Sequence, residues 1–161
     1  MSEFQIRHAV AADLTQVQAI IDQPFPRFFR FFARRSVSDP NATVIVSHID
    51  NVVAGFAKLI NFKVGHTPFG CILWIAVHPT YRRKGIALNL THTGVDHFKT
   101  QGVQTVFAST QRGNKAELAV LDKYGFRPVG FASLWRVFGW RVLNFYWHIW
   151  FVPREVVFTY P

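Results

Sequence analysis

Cys71-Ile72-Leu73-Trp74-Ile75-Ala76-Val77, followed by His78-Pro79-Thr80-Tyr81-Arg82-Arg83-Lys84-Gly85-Ile86-Ala87, is the stretch on which the reading of this chain turns. Residues 71–77 are almost wholly apolar, which fits a central strand covered on both faces. Pro79 fixes the direction of the chain as it leaves that strand. Gly85 or Ile86 then opens a helix to about Gln101, with Ile86, Leu90, Val95 and Phe98 on one broad face and Gly102 placed to close it. The first turn of a helix has backbone N–H groups without partners, and together with the helix dipole they attract anions. Gly85 lacks a Cβ, so a phosphate can approach the backbone, and Ala87 is nearly as small. Arg82, Arg83 and Lys84 add three cations, and arginine can grip phosphate through two N–H groups. On these residues alone, an anion site and a solvated basic turn are equally good readings. The turn is not a Walker loop, because the second glycine and the Lys-Ser/Thr ending are absent, and one glycine does not make a dinucleotide fingerprint.

Outward from this stretch, Phe4–His8 alternates as a first strand, and Asp13 opens a helix carrying Leu14, Val17, Ala19, Ile20 and Ile21. Pro24 and Pro26 end that helix, Arg27–Arg35 forms a second, and Ser36–Asn41 is a loop. Thr43–Ile49 and Val52–Phe62 make an antiparallel hairpin around the turn Asp50-Asn51, and Gly65–Gly70 is a loop containing Pro68. After the central strand and its helix, Val103–Ser109 is a strand, so the strand–helix–strand order implies a parallel pair with a right-handed crossover. Asn114–Tyr124 is a helix stopped by Gly125, and Val129–Val137 and Leu143–Val152 are two last strands around Gly139. The expected order is βααβββαβαββ. It describes one α/β domain over residues 1–161, with a mixed, mostly antiparallel sheet of about seven strands and helices on both faces.

A length of 161 residues suits one domain with a real core, and the apolar half of the composition argues against disorder. No apolar run reaches the ~20 residues of a membrane span, and the N-terminus lacks a signal-peptide stretch. A single cysteine, Cys71, excludes an internal disulfide and suits a reducing, cytoplasmic setting. Lysine and arginine outnumber acids 18 to 9, which calls for an anionic partner: nucleic acid, an anionic membrane surface or a phosphorylated cofactor. No histidine or cysteine spacing suggests a metal site.

The segment Val77–Ala87 resembles the acyl-CoA signature of the GNAT superfamily of N-acyltransferases: Arg or Gln, two variable residues, Gly, one variable residue, then Gly or Ala. Arg82, Gly85 and Ala87 match it. Asn114–Phe126, ending in Gly125-Phe126, resembles the second CoA-side motif of the same family. The resemblance implies acetyl-CoA as co-substrate, with its pyrophosphate on the backbone amides of Arg82, Arg83, Lys84, Gly85, Ile86 and Ala87. It also implies a pantetheine arm beside Ile75, Ala76 and Val77, contacted by Asn114, and a central parallel pair that splays to admit the thioester. Asn114 with Glu117 also fits a helix N-cap and capping box, and the two roles are compatible.

The implied reaction is direct attack of a primary amine on the thioester in a ternary complex, with the Val77 backbone N–H as oxyanion donor. The family's usual tyrosine acid, four residues before the Gly of Gly-Phe, is replaced by Leu121. Tyr124 is the nearby candidate acid, and packing against the next strand is the competing role. No acid lies in Cys71–Val77, so no strand carboxylate serves as base. His48 and His66 lie on the expected substrate side. The acceptor is a small-molecule or peptide amine, with Phe25, Phe28, Phe29, Phe31 and Phe32 pointing to an apolar acceptor face or a buried interface. Trp135, Trp140, Tyr146, Trp147 and Trp150 suggest a homodimer through aromatic-rich surfaces. Without acid and base, a non-catalytic acyl-CoA-binding sensor or interaction module is the alternative. A nucleic-acid or anionic-membrane binder is the third, motivated by aromatic-basic segments such as Trp135–Arg141, and no dedicated nucleic-acid motif supports specific nucleic-acid binding.

Overall fold

The computed structural model describes residues 4–22, 27–38, 43–151 and 154–161. Pro24, Phe25 and Pro26, with the side chains of Phe28 and Phe29, lie outside the described residues. The main elements are β1 (Gln5–His8), α1 (Leu14–Ile21), α2 (Arg27–Val37), β2 (Thr43–Ile49), β3 (Val52–Val64), β4 (Thr67–Val77) and α3 (Ile86–Thr100). There follow β5 (Val106–Gln111), α4 (Lys115–Tyr124), β6 (Arg127–Val129), α5 (Phe131–Phe138), α6 (Val142–His148) and β7 (Glu155–Tyr160). Short 3-10 turns lie at Ala11–Asp13, Pro79–Tyr81 and Gly139–Arg141. The strands form one seven-stranded sheet in the order β1-β2-β3-β4-β5-β7-β6. β4 and β5 run parallel, in register at Gly70↔Val106, Cys71↔Phe107 and Ile72↔Ala108. The pairs β1/β2, β2/β3, β5/β7 and β6/β7 are antiparallel.

The mixed α/β architecture and seven strands agree with the sequence reading, and several boundaries do not. The loop expected at Gly65–Gly70 shrinks to Gly65-His66, because the turn is made by Gly65 at φ +65° and β4 already begins at Thr67. β5 starts at Val106 rather than Val103, since residues 102 and 103 are used to close α3: Gly102 N–H donates to Lys99 O at 3.0 Å and Val103 N–H to Phe98 O at 3.1 Å. Ser36 and Val37 extend α2, so the loop after it begins later than expected.

The largest correction concerns the C-terminal third. Beyond Val129, which ends β6, the described residues of the segments 129–137 and 143–152 are helix and turn rather than strand: they contain α5 and α6, and the order becomes βααβββαβαβααβ; Val152 lies outside the described residues. Leu134, Phe138, Val142, Phe145 and Ile149 recur every three or four residues and pack in one core cluster, the spacing of a helical face. The sheet takes its last strands from Arg127–Val129 and Glu155–Tyr160 instead.

Contacts divide the chain into two compact units, residues 1–59 with 74–94 and residues 60–73 with 95–161. In the first, Val17, Ile20 and Ile21 of α1 and Ala33 and Val37 of α2 pack on Val44, Val46, Val53 and Phe56, with Ala76 at the end of β4. Each large side chain shielded here contributes about 1.5–3 kcal/mol. In the second, Phe62, Phe69, Phe107 and Phe145 meet at centroid distances of 4.7–5.9 Å around Cys71. Phe98 lies flat on Gly70, where an added Cβ would come within 2.5 Å of the ring. That contact fixes the last turns of α3 on β4.

Candidate active site

The turn between β4 and α3 is built by neighbours that hold the backbone in place. The β2/β3 register slips between Ser47 and His48, leaving Ala54 as the extra residue of a bulge. The Ala54 carbonyl accepts the His78 N–H at 2.8 Å and so ends β4. Gly55 lies beside it, where a Cβ would stand 3.0 Å from Ala76 O and 3.1 Å from Ile86 Cγ2. A side chain here would press on all of them, so the glycine lets β3, the end of β4 and the start of α3 approach closely.

From Val77 the chain enters the 3-10 turn Pro79–Tyr81, where His78 Nδ1 accepts the Thr80 N–H at 3.3 Å. Arg82 Nε donates back to Val77 O at 3.4 Å. Arg83 takes a left-handed φ of +62° and Gly85 one of +79°. The conformation costs Gly85 little, whereas for Arg83 it costs about 1 kcal/mol or more, which the surrounding contacts must offset. Crowding is not the reason for the glycine, since an added Cβ would meet only Asn89 Nδ2, at 3.7 Å. The Asn89 backbone N–H and its side-chain amide both donate to Gly85 O, at 3.1 and 3.0 Å, and close the first helical bond. The N–H groups of Ile86, Ala87 and Leu88 precede that bond and form the donor-rich start of α3.

Arg82, Arg83, Lys84 and Gly85 are exposed, Ile86 is buried as the anchor, and no acid occupies the first turn of α3. Lys84 Nζ lies 5.5 Å from the centre of the Tyr81 ring. The turn therefore combines backbone donors, the positive end of a fifteen-residue helix and three cations, a set that fits the doubly charged pyrophosphate of CoA. Ile75, Ala76 and Val77 form the last residues of β4 directly before this turn, with Ala76 buried and the other two half-buried.

Asn114 and Tyr124 stand on α4. Asn114 is its N-cap: Oδ1 accepts the Glu117 N–H at 3.3 Å, and Nδ2 donates to Glu117 Oε2 at 2.8 Å. The same Oε2 accepts the Thr110 hydroxyl at 2.7 Å. The capping-box partner thus returns to the Asn114 side chain and to β5. Glu117 is half-buried as a residue, but its carboxyl group is enclosed, and desolvation pushes it up to about 7. The Thr110 hydrogen bond opposes that rise and the charge of Glu155 adds to it. Sequence reasoning saw Glu117 only as a cap; the Asn-x-x-Glu spacing gave no hint that Thr110 and Glu155 come to meet it.

The Tyr124 ring packs 5.1 Å from Tyr160 and 5.9 Å from Phe126, which is the packing role weighed against acid catalysis. Burial, with Tyr160 and Asp96 nearby, raises its phenol. Leu121, at the position of the missing acid, is fully buried and accepts the Gly125 and Phe126 N–H groups with its carbonyl, at 3.1 and 2.9 Å. Gly125, at φ +106°, supplies this closure of α4, which gives the Gly-Phe ending a structural cause.

His48 belongs to a different group. Its Nε2 lies 3.1 Å from Asp13 Oδ1, and Asp13 also accepts Arg7 at 2.7 and 3.0 Å and the Val10 N–H at 2.8 Å. Burial alone would raise the Asp13 carboxyl, but these partners hold it down to about 2. Cys71 is buried, and burial pushes its thiol far up, as expected of a core residue rather than a nucleophile. Among the described residues no group of histidine, cysteine, aspartate or glutamate is arranged to hold a metal ion.

Residues 9–126 match the acetyltransferase (GNAT) family, and the chain belongs to that family. N-alpha-acetyltransferase 30 of Schizosaccharomyces pombe is 25% identical over 121 residues, covering 74% of this chain and 79% of the relative. A solved GNAT-family structure from Desulfovibrio desulfuricans superposes with a TM-score of 0.76 at 15% identity, covering 98% of each chain. The NatC complex bound to Gag peptide and CoA contains a chain that superposes with a TM-score of 0.71 at 15% identity, covering 98% of this chain and 96% of that one.

Proposed function

We propose that the protein transfers an acetyl group from acetyl-CoA to a primary amine by direct attack in a ternary complex, and that the amine is the α-amino group of a peptide. The observation that carries the cofactor half is the turn itself: the left-handed Arg83 and Gly85 lead into a helix start with no acid in its first turn, and Arg82, Arg83 and Lys84 are exposed beside it. In this reading the amides of residues 82–87 hold the pyrophosphate, Ile75, Ala76 and Val77 run beside the pantetheine arm, and Asn114 contacts it. The Val77 N–H polarises the thioester carbonyl. The amine nitrogen forms the C–N bond and releases a proton to water, the C–S bond breaks, and the departing thiolate takes a proton from water. With a thiol pKa near ~8.5, that last step tolerates a leucine at position 121.

The acceptor half rests on proton energetics. A lysine-type amine is about 0.1% neutral at pH 7, and generating the free base costs roughly 4 kcal/mol. A peptide α-amine, with a pKa near ~7.8, is about a seventh neutral and costs only ~1 kcal/mol. Leu121 and the acid-free strand Cys71–Val77 offer little help with proton removal, so the α-amine is the acceptor that asks least of this site. The relative named as an N-alpha-acetyltransferase and the peptide in the NatC complex support the same class.

The test follows thiol release from acetyl-CoA with two short peptides, one with a free N-terminus and one blocked there but containing lysine. Turnover is expected with the first and little with the second. The reverse pattern would overturn the acceptor assignment. Cofactor binding without turnover on any amine would favour a sensor, and no thermal shift with CoA would remove the cofactor assignment.

A further inference from the structure

The helical run from α5 through the Gly139–Arg141 turn to α6 carries apolar side chains on two sides. One side, with Leu134, Val142, Phe145 and Ile149, is buried. The other side is open: Val137 is 73% exposed, Trp140 79%, Leu143 63% and Trp147 81%. Trp140, Leu143 and Trp147 recur three and four residues apart, so they share one side of the run. A helix packed on a core normally turns a polar face to water, and here tryptophan and leucine occupy that face. The surface continues through touching rings: Trp135 lies 4.9 Å from Trp140 and 5.8 Å from Phe131.

Its charge is one-sided. Between Asp122 and Glu155 the sequence contains no acid; Arg127 pairs with Asp122 at 3.1 Å, while Arg136 and Arg141 are exposed on the run itself, in a chain with a net charge of +9. Exposed tryptophans beside arginines have the chemistry of the boundary between lipid headgroups and acyl chains, where the ring sits half in apolar surroundings and the cation meets phosphate. We propose that this face docks the protein peripherally on an anionic lipid bilayer, with Trp140, Leu143 and Trp147 entering the boundary and Arg136 and Arg141 meeting the headgroups. A second copy of the chain would bring two cationic faces together. A nucleic acid would leave Val137 and Leu143 without a partner, since bases stack on aromatic rings and not on aliphatic ones. Among the described residues no helix is long and apolar enough to cross a membrane, so the contact is with the surface.

The full chain is mixed with vesicles of phosphatidylcholine alone and with phosphatidylcholine–phosphatidylserine vesicles at physiological salt, and partition is read by sedimentation and tryptophan emission. Binding to the anionic vesicles with blue-shifted emission is expected. Trp140→Ala with Trp147→Ala should weaken it at least about tenfold, given the apolar area withdrawn. Arg136→Gln should weaken it about fivefold. CoA-dependent thermal stabilisation serves as the folding control, and Leu143→Asn is a second, milder probe of the same face. Absence of partition on anionic vesicles would overturn the proposal. Equal binding by the wild type and the tryptophan variant would reduce the effect to nonspecific cationic adsorption and overturn it too. A wild-type dimer in equilibrium sedimentation that the tryptophan variant dissolves, without vesicle binding, would assign the face to a second copy.

Discussion

Replacing Glu117 by glutamine should make the protein more stable at pH 8 and leave its stability at pH 4.5 nearly unchanged. The Glu117 carboxyl is held at about 7 instead of its ordinary 4.5. At ~1.4 kcal/mol per factor of ten, the fold disfavours its charged form by about 3 kcal/mol. Below pH 4.5 the group is protonated in both folded and unfolded chains, so it costs nothing. Between about 4.5 and 7 the unfolded chain has released the proton and the folded one still holds it, so stability falls as pH rises. Above 7 both are ionised and the full penalty stands. Its place in the first turn of α4 works the other way, since a carboxylate there gains at most about 1 kcal/mol from the helix dipole, so desolvation beside Glu155 wins. The substitution isolates this effect because both Thr110 and Asn114 donate to the one oxygen, Oε2, and a glutamine carbonyl can accept both bonds. Urea unfolding of both proteins at pH 4.5, 6 and 8 provides the assay. The difference should grow with pH towards about 3 kcal/mol in favour of the Glu117→Gln variant. An identical pH dependence in the two proteins, or a glutamine variant weaker at pH 8, would refute the reasoning.

Gly85→Val places a β-branched residue at φ +79° and should cost about 1–3 kcal/mol of stability. It should also abolish the ~2.7 kcal/mol stabilisation expected from CoA at 100 times its dissociation constant, read as a lost ligand-dependent melting shift. Asp13→Asn removes charge-assisted bonds from Arg7 and should destabilise the protein by about 1–3 kcal/mol at neutral pH. Because the Asp13 carboxyl is held down to about 2, its contribution is present above pH ~4 and disappears as pH falls towards ~2; acid titration followed by circular dichroism should show that limb flattened in the variant. Gly70→Ala pushes a methyl group into the Phe98 ring, 2.5 Å away, and should lower stability by about 1–3 kcal/mol in chemical denaturation.

The sequence was most legible where one local interaction decides an element. Asp50-Asn51 makes a two-residue turn because both residues take left-handed φ, and Gly102 and Gly125 end helices as their positions suggest. It misled where composition overrode spacing. From Phe131 to His148, aromatic and β-branched residues are so dense that the run has the look of strands. A helix that is polar on one side betrays its period; in α5, α6 and the turn between them, the inward Leu134, Phe138, Val142, Phe145 and Ile149 are masked by the exposed Val137, Trp140, Leu143 and Trp147. The helical spacing was present in the sequence without a polar background to reveal it. The same exposed residues that hid the helices are the ones that call for a partner.

The site divides along similar lines. The turn Arg82–Ala87, proposed as the phosphate site, is made by consecutive residues, and the structure adds what holds its entry in place: the Ala54 carbonyl on His78 N–H and the missing side chain at Gly55. Proton-handling groups depend on burial and on partners distant in sequence. Glu117 owes its raised carboxyl to burial, with Glu155 on β7 adding to it and Thr110 on β5 opposing it, and His48 is drawn to Asp13 from 35 residues away. For the reaction, the decisive residue is the one without chemistry. Leu121 is buried in the core and its carbonyl helps close α4, so the leucine serves the packing, and it has no proton to donate. In the proposed reaction, such a site would favour a substrate that supplies its own neutral amine, and a peptide α-amine meets that requirement at neutral pH better than a lysine side chain.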